Sequence, residues 1–215
     1  MLLDLGGPNL QVPGNFAALE RGIHVPHPEW MVPDDVIEHC TREWGLLVPH
    51  EDGAPKIGID PFAGTGSIPD VINRMGGYCE ANELDEEHCR IMEARLAAGS
   101  LIRQGDYKTI RTPNFYRGYD YIYTSPPFAR FVGPDVDYGN LGERFHGMLA
   151  EDGVLIIDSA STAERNGHTI HPAAYTVLYF SHYGFRLKDW RGFQTTPRNG
   201  CDNQFTELLF EKRPL

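Results

Sequence analysis

Lys56-Ile-Gly-Ile-Asp60-Pro-Phe-Ala-Gly64-Thr-Gly66-Ser67 decides how this chain is read. A short apolar run ends at an acid, a turn with two glycines follows, and a helical pattern from Ser67 to Met75 opens directly after it. In an open parallel sheet a nucleotide-like ligand lies at this place, outside the C-terminal ends of the strands. Gly64 and Gly66 let the backbone approach a ligand closely, and the helix N-terminus offers free N–H groups. The stretch is not a phosphate loop, because no Gly-Lys-Ser/Thr follows it. The third glycine of the dinucleotide fingerprint is also missing, since Pro69 stands there. A lone Gly-x-Gly is weak evidence, so its neighbours must carry the argument.

Outward from this turn, apolar runs alternate with helical patterns. Gly76-Gly77 stops the first helix. Residues 78–84 (YCEANEL) read as a second strand. Asp85 is placed as the N-cap of a helix running to about Ala98, with Glu86 and Glu87 in its first turn. Residues 101–106 and 119–124 are a third and a fourth strand. A helix from Leu141 to Leu149 turns at Glu151-Asp152-Gly153 into a fifth strand, VLIIDSA (154–160). A helix over 172–183 precedes strands over 185–190 and 205–211, which have no helix between them and so form an antiparallel edge hairpin. Strands alternating with helices give a mostly parallel sheet covered on both faces.

Composition narrows the class. The chain has 215 residues, is 41% hydrophobic and carries a net charge of −11. That is ordinary globular composition in one domain. No run of 18 apolar residues is present, so no membrane span is expected. The N-terminus lacks the basic and apolar regions of a signal peptide. Cys40, Cys79, Cys89 and Cys201 form no Cys-x-x-Cys pair. Reduced thiols in a cytoplasmic protein are therefore expected. His168 and His171 lack the further ligands a metal site needs, and no metal is expected. Acidity speaks against a nucleic-acid binder, yet it is unevenly spread. Residues 1–55 hold nine acids against Arg21 and Arg42, while the other 160 residues hold 21 acids against 17 bases. Short basic segments lie at 103–117 and 186–198.

Three strand ends carry chemistry. Glu83 closes the second strand about 20 residues after the glycines, where an acid can accept two hydrogen bonds from ribose hydroxyls or simply sit at the surface. Asp106 closes the third, where it suits an exocyclic adenine amine or a turn cap. The fourth ends in Tyr123-Thr124-Ser125-Pro126-Pro127-Phe128. Two prolines after a buried strand remove donors and fix a rigid turn. The Ser125 hydroxyl and Pro126 carbonyl can accept both hydrogens of one amino group, and Phe128 offers a flat face to a planar ring. A ring-conjugated amine is a poor nucleophile because its lone pair is delocalised. Holding both hydrogens favours a pyramidal nitrogen able to attack a methyl group.

Taken together, these motifs resemble the class I S-adenosylmethionine-dependent methyltransferases, in particular the amino-methyltransferases of the DNA N4-cytosine/N6-adenine family. The glycine motif Asp60–Gly66, the catalytic motif Ser125–Phe128 and the lead segment His27–Ile37 carry the likeness over about residues 24–160, and the strand pattern extends it. The resemblance implies a Rossmann-like α/β fold with a seven-stranded sheet in the order 3-2-1-4-5-7-6 and helices on both faces. It implies S-adenosyl-L-methionine held by Pro33, Asp60, Phe62, Gly64, Gly66, Glu83 and Asp106, with Ser125, Pro126, Pro127 and Phe128 catalytic. Residues 1–55 form a cofactor-proximal segment and 56–215 the core of a single domain.

The expected reaction is methyl transfer to an exocyclic amino nitrogen of a nucleic-acid base. A small-molecule or peptide amine is the alternative acceptor, and a non-catalytic cofactor-binding module is a further one. The sequence offers no obvious target-recognition domain. Substrate contacts fall to the loops 129–140, 161–171 and 191–204, with Arg130, Phe131 and Arg191 as candidates. Aromatics interleaved with Arg suit a flipped or single-stranded base, and equally a pocket for a small planar amine. The expected partners are nucleic acid, a specificity-giving chain or a second copy, and no membrane.

Overall fold

The computed structural model describes residues 10–12, 32–97, 99–112, 118–126, 140–160, 163–165, 168–195 and 203–214. Ten strands and five α-helices are described. In chain order they are β1 (Leu10–Val12), α1 (Asp34–Glu43), β2 (Ile57–Asp60), α2 (Ser67–Arg74), β3 (Tyr78–Glu83), α3 (Glu86–Arg95) and β4 (Ile102–Gln104). After a 3₁₀ turn at Tyr107–Thr109 come β5 (Tyr119–Thr124), α4 (Leu141–Met148), β6 (Leu149–Ala160), β7 (Ala163–Arg165), β8 (His168–Ile170), α5 (Pro172–His182), β9 (Phe185–Thr195) and β10 (Asn203–Lys212).

The main sheet runs β1-β9-β10-β6-β5-β2-β3-β4. Without β1, this is the expected 3-2-1-4-5-7-6 order. β2, β3, β4, β5 and β6 run parallel to one another, whereas β10 is antiparallel to both β6 and β9. β10 thus inserts between β6 and β9. The sequence pattern missed β1, which adds a parallel eighth strand along β9. Three residues carry no readable alternation, and the edge of β9 supplies their order. The loop expected at 161–171 contains the β7–β8 hairpin.

Apolar burial falls on both faces. Ile59, Ile122, Leu155, Ile157, Leu208 and Phe210 pack with Phe145 of α4 and Phe180 of α5. Tyr121, Tyr123, Ile156 and Leu209 pack with α1 and α2 through Val36, Ile37, Cys40, Val71 and Ile72. Fully burying one large apolar side chain contributes about 1.5–3 kcal/mol, so these two layers supply most of the driving force.

Local signals explain the helix boundaries. The Asp85 carboxylate accepts from Glu87 N at 2.8 Å and His88 N at 3.0 Å, which caps α3. That helix stops at Arg95, short of the expected Ala98, because Leu96 is extended and turns into the core. The expected turn at 151–153 lies inside β6 as an irregularity. Tyr119 pairs with Leu149, and the ladder resumes at Tyr121 with Val154. Among the described residues no helix is long and apolar enough to cross a membrane.

Candidate active site

The C-terminal ends of β2 and β5, the glycine turn and the start of α3 frame one cleft of about 130 Å³. Val32, Asp60, Phe62, Gly64, Ile68, His88 and Ser125 are among the residues that line it. The glycine motif and Ser125, some sixty residues apart in sequence, therefore share one space.

Asp60, the last residue of β2, is 2% exposed. Its carboxylate accepts from the Thr124 hydroxyl at 2.6 Å and from Phe62 N at 3.0 Å. The first bond ties the end of β5 to the end of β2 and sets the origin of the Ser125 turn. Burial pushes the Asp60 carboxyl up to about 7, although both hydrogen bonds favour its charged form.

Glu83 fixes the turn from the neighbouring strand. One of its oxygens accepts from Gly64 N at 2.8 Å, and the other from Leu84 N at 2.8 Å and Asp85 N at 2.9 Å. Asn82 donates to the carbonyls of Pro61 at 3.1 Å and Gly105 at 3.0 Å, joining the ends of β2, β3 and β4. Asp106 accepts from Lys108 N at 2.9 Å and caps the 3₁₀ turn. Phe62 tilts against Tyr107, ring centres 5.0 Å apart. Pro33 is buried at the start of α1, where its carbonyl accepts from Val36 N and Ile37 N.

The two glycines do different work. Gly64 has φ 54°, and a Cβ there would meet nothing within 4 Å. Its bare face is open to the cleft. Gly66 has φ 86°, and a Cβ there would lie 2.8 Å from Met92 Cγ. Gly66 therefore lets α2 start against α3. Arg95, 3% exposed, reaches the same turn from α3, donating to the Ser67 hydroxyl at 3.0 Å and to Asp70 at 3.2 Å.

Ser125 donates its hydroxyl proton to Asp158 Oδ2 at 2.7 Å. With that proton committed, the oxygen faces the cleft as an acceptor. Asp158 is 3% exposed, and burial pushes its carboxyl up to about 7 against the Ser125 hydrogen bond. Pro126 is buried beside it. Pro127, Phe128, Arg130 and Phe131 lie outside the described residues. Arg191 does not sit in a loop as expected. It lies within β9, where it donates to Asp189 at 2.8 Å.

Sequence reasoning missed Thr124, Asn82, His88 and Asp158. A lone acid in the apolar run VLIIDSA was the readable signal for the last of these, since an acid there is buried on either face of the sheet.

No protein-family model matches the chain, and no curated protein matches it in sequence. In fold it is similar to a protein of Pyrococcus horikoshii described provisionally as an RNA methyltransferase. The identity is 13%, covering 89% of this chain and 92% of the other, with TM-score 0.63. A SAM-dependent methyltransferase of Methanosarcina mazei is similar at 10% identity over 75% of this chain and 94% of the other, with TM-score 0.59. The glycopeptide N-methyltransferase MtfA, also solved with sinefungin, is similar at 14% identity over 88% of this chain and 100% of the other, with TM-score 0.59. The fold is thus the Rossmann-like fold of class I methyltransferases. The open face of Gly64, Asp60 at the end of β2 and the apolar cleft wall of Val32, Phe62 and Ile68 fit the chemistry of S-adenosylmethionine, whereas Pro33, Gly66, Glu83 and Asp106 are not among the residues that line the cleft.

Proposed function

We propose that this chain is an S-adenosylmethionine-dependent methyltransferase whose acceptor is an exocyclic amino nitrogen of a nucleic-acid base, of the N4-cytosine or N6-adenine type. The observation that carries the reading is Ser125. It lines the same cleft as Gly64, and its proton is committed to Asp158. Its oxygen can therefore only accept, which is what orienting an amino group requires.

Asp60, Phe62, Gly64, Gly66, Glu83 and Asp106 hold the cofactor, with Pro33 setting the start of α1 beside the cleft. When bound, the cofactor supplies an electrophilic methyl group on a sulfonium. The chain's own part is alignment: Ser125 and Pro126 accept the amine hydrogens, and Phe128 stacks on the ring. Rate enhancement of this kind comes from holding the reacting atoms in line at close approach. The predominance of Arg over Lys among the bases, 15 to 4, favours bidentate and stacked contacts with a nucleic-acid strand over a diffuse positive surface.

The test is labelled methyl transfer from S-adenosylmethionine to DNA, RNA and a metabolite fraction in parallel at low salt. Label in a nucleic acid is expected. Label confined to the metabolite arm would move the acceptor to a small amine, and label in none would leave a binding module. Ser125→Ala combined with Phe128→Ala should abolish transfer while cofactor binding, measured by calorimetry, survives. Undiminished turnover in that variant would refute the assigned roles.

A further inference from the structure

Behind Ser125 lies a second acid. Asp158 of β6 and Glu207 of β10 are direct partners across the antiparallel ladder. They are 3% and 0% exposed, respectively. Among the described residues, Asp158 Oδ1 has no hydrogen-bond partner, and the Tyr123 hydroxyl and the Glu207 carboxyl interact with each other but make no well-formed hydrogen bond. Arg191 stands opposite Glu207 in the β9–β10 register but pairs with Asp189. Two adjoining acids buried without a base are unfavourable, and both cannot ionise together. A fold that keeps such a pair at the back of a reacting hydroxyl holds a proton-accepting group in reserve.

The surroundings decide which acid ionises. Asp158 receives the Ser125 hydrogen bond, which favours its charged form. Glu207 is pushed well up, first by burial and then by the charge of Asp158. Cys40 of α1 and Tyr123 of β5 face the pair, and burial drives both upward, so neither contributes a charge near neutrality. Asp158 thus ionises first, and Glu207 stays protonated beside it.

Building on the amine-methylation reading above, we propose that Asp158 accepts, through Ser125, the proton that leaves the amine on methylation, with Glu207 held protonated next to it. The amine lone pair forms the new N–C bond, and the pair from the broken S–C bond stays on sulfur. One N–H proton passes to Ser125 Oγ as the proton already on that oxygen passes to Asp158 Oδ2. The product is a neutral secondary amine, and Asp158 returns its proton to water after product leaves. Acting through Ser125, Asp158 is a positioning residue. It must start charged, so turnover requires its carboxylate form.

Four measurements test this. In the wild-type enzyme, single-turnover rate should rise with unit slope through about pH 7 and then level. Asp158→Asn keeps an acceptor for Ser125 but no basicity. Its kcat should fall about 10²–10³-fold, with the rising limb lost and cofactor affinity unchanged. Glu207→Gln mimics the protonated acid and should keep the limb. Independently of turnover, carboxyl ¹³C NMR of the unloaded protein should show one buried acid ionising near neutrality and a second remaining protonated. In Asp158→Asn the second should titrate lower. A flat wild-type profile between about pH 5.5 and 8.5, an unaltered Asp158→Asn enzyme, or two ordinary carboxyl titrations would overturn the proposal while leaving amine methylation intact. Wild-type protein that labels no amine at all would overturn the underlying reading, and this inference with it.

Discussion

Asp34, Asp70, Arg74 and Arg95 tie α1, α2 and α3 together on one flank of the glycine turn, while Asp158 and Glu207 face each other on the other side of the cleft. In the first group the charges are matched. Arg74 reaches Asp34 at 2.7 Å and Asp70 at 3.4 Å, and Arg95 reaches Asp70 at 3.2 Å and Asp34 at 3.8 Å. In the second group no base among the described residues pairs with the acids. Matched charges have one low-energy arrangement and so hold geometry; unmatched acids have a movable proton and so hold chemistry. The same molecule uses buried charge for both purposes, and the partner count separates them.

The largest effect should come from breaking the matched group. Arg95 is 3% exposed and links Asp70 to the Ser67 hydroxyl at the start of α2. Arg95→Met leaves two buried acids short of a base, and removing one partner of a buried pair costs about 3–5 kcal/mol. For a chain of this size that is a fall in Tm of roughly 10 °C, measurable by calorimetry. A loss below about 1 kcal/mol would place this network in the weak class of surface ion pairs.

The unmatched group should answer to pH in the opposite sense from an ordinary paired acid. Asp158 titrates at about 7 in the folded chain, against about 3.9 when unfolded. Between those values the folded state binds more protons than the unfolded one, so the Asp158 contribution to stability falls as pH rises from about 4 to about 7 and then levels, while Glu207, pushed up further, keeps total stability falling above that. Asp60, also pushed up to about 7, adds to the same slope. Asp158→Asn should flatten this dependence by on the order of a few kcal/mol and leave the protein more stable than wild type at pH 8, as read by urea unfolding across pH. An unchanged slope would show that Asp158 stays charged at all these values.

This contrast also marks what the sequence could disclose. The glycine turn, the Asp85 cap and the end of β5 at Thr124 are local, with their physics contained in a few adjacent residues, and they read correctly. Glu207 and Asp158 meet only because β10 inserts between β6 and β9. Each is a lone acid in an apolar strand, visible singly, but the pairing is a product of topology. Arg95 stands in a helix rich in charge, where nothing local marks it as buried. Its burial follows from α3 packing over the glycine turn. Arg191 was read into a loop because strand propensity fades after Trp190, yet pairing with β10 carries β9 on to Thr195. Long-range pairing overrides local propensity at these places.

The glycine turn lies between the two groups, and its two glycines should divide along the same line with the smallest effects. Gly66 faces the matched side, where a methyl would press on Met92. Gly66→Ala combines the left-handed backbone penalty of about 1–2 kcal/mol with overpacking of similar size. It should cost about 2–3 kcal/mol of stability on that account. Gly64 faces the cleft, where a methyl meets no protein atom within 4 Å. Gly64→Ala should cost only the backbone term, about 1–2 kcal/mol, yet weaken S-adenosylmethionine binding by about tenfold or more, equivalent to some 1.4 kcal/mol of lost contact. Paired calorimetric measurements of Tm and of cofactor affinity separate the two variants. Equal losses of affinity with equal losses of Tm would mean that the turn responds as one unit, and that the open face of Gly64 has no special part in admitting a ligand.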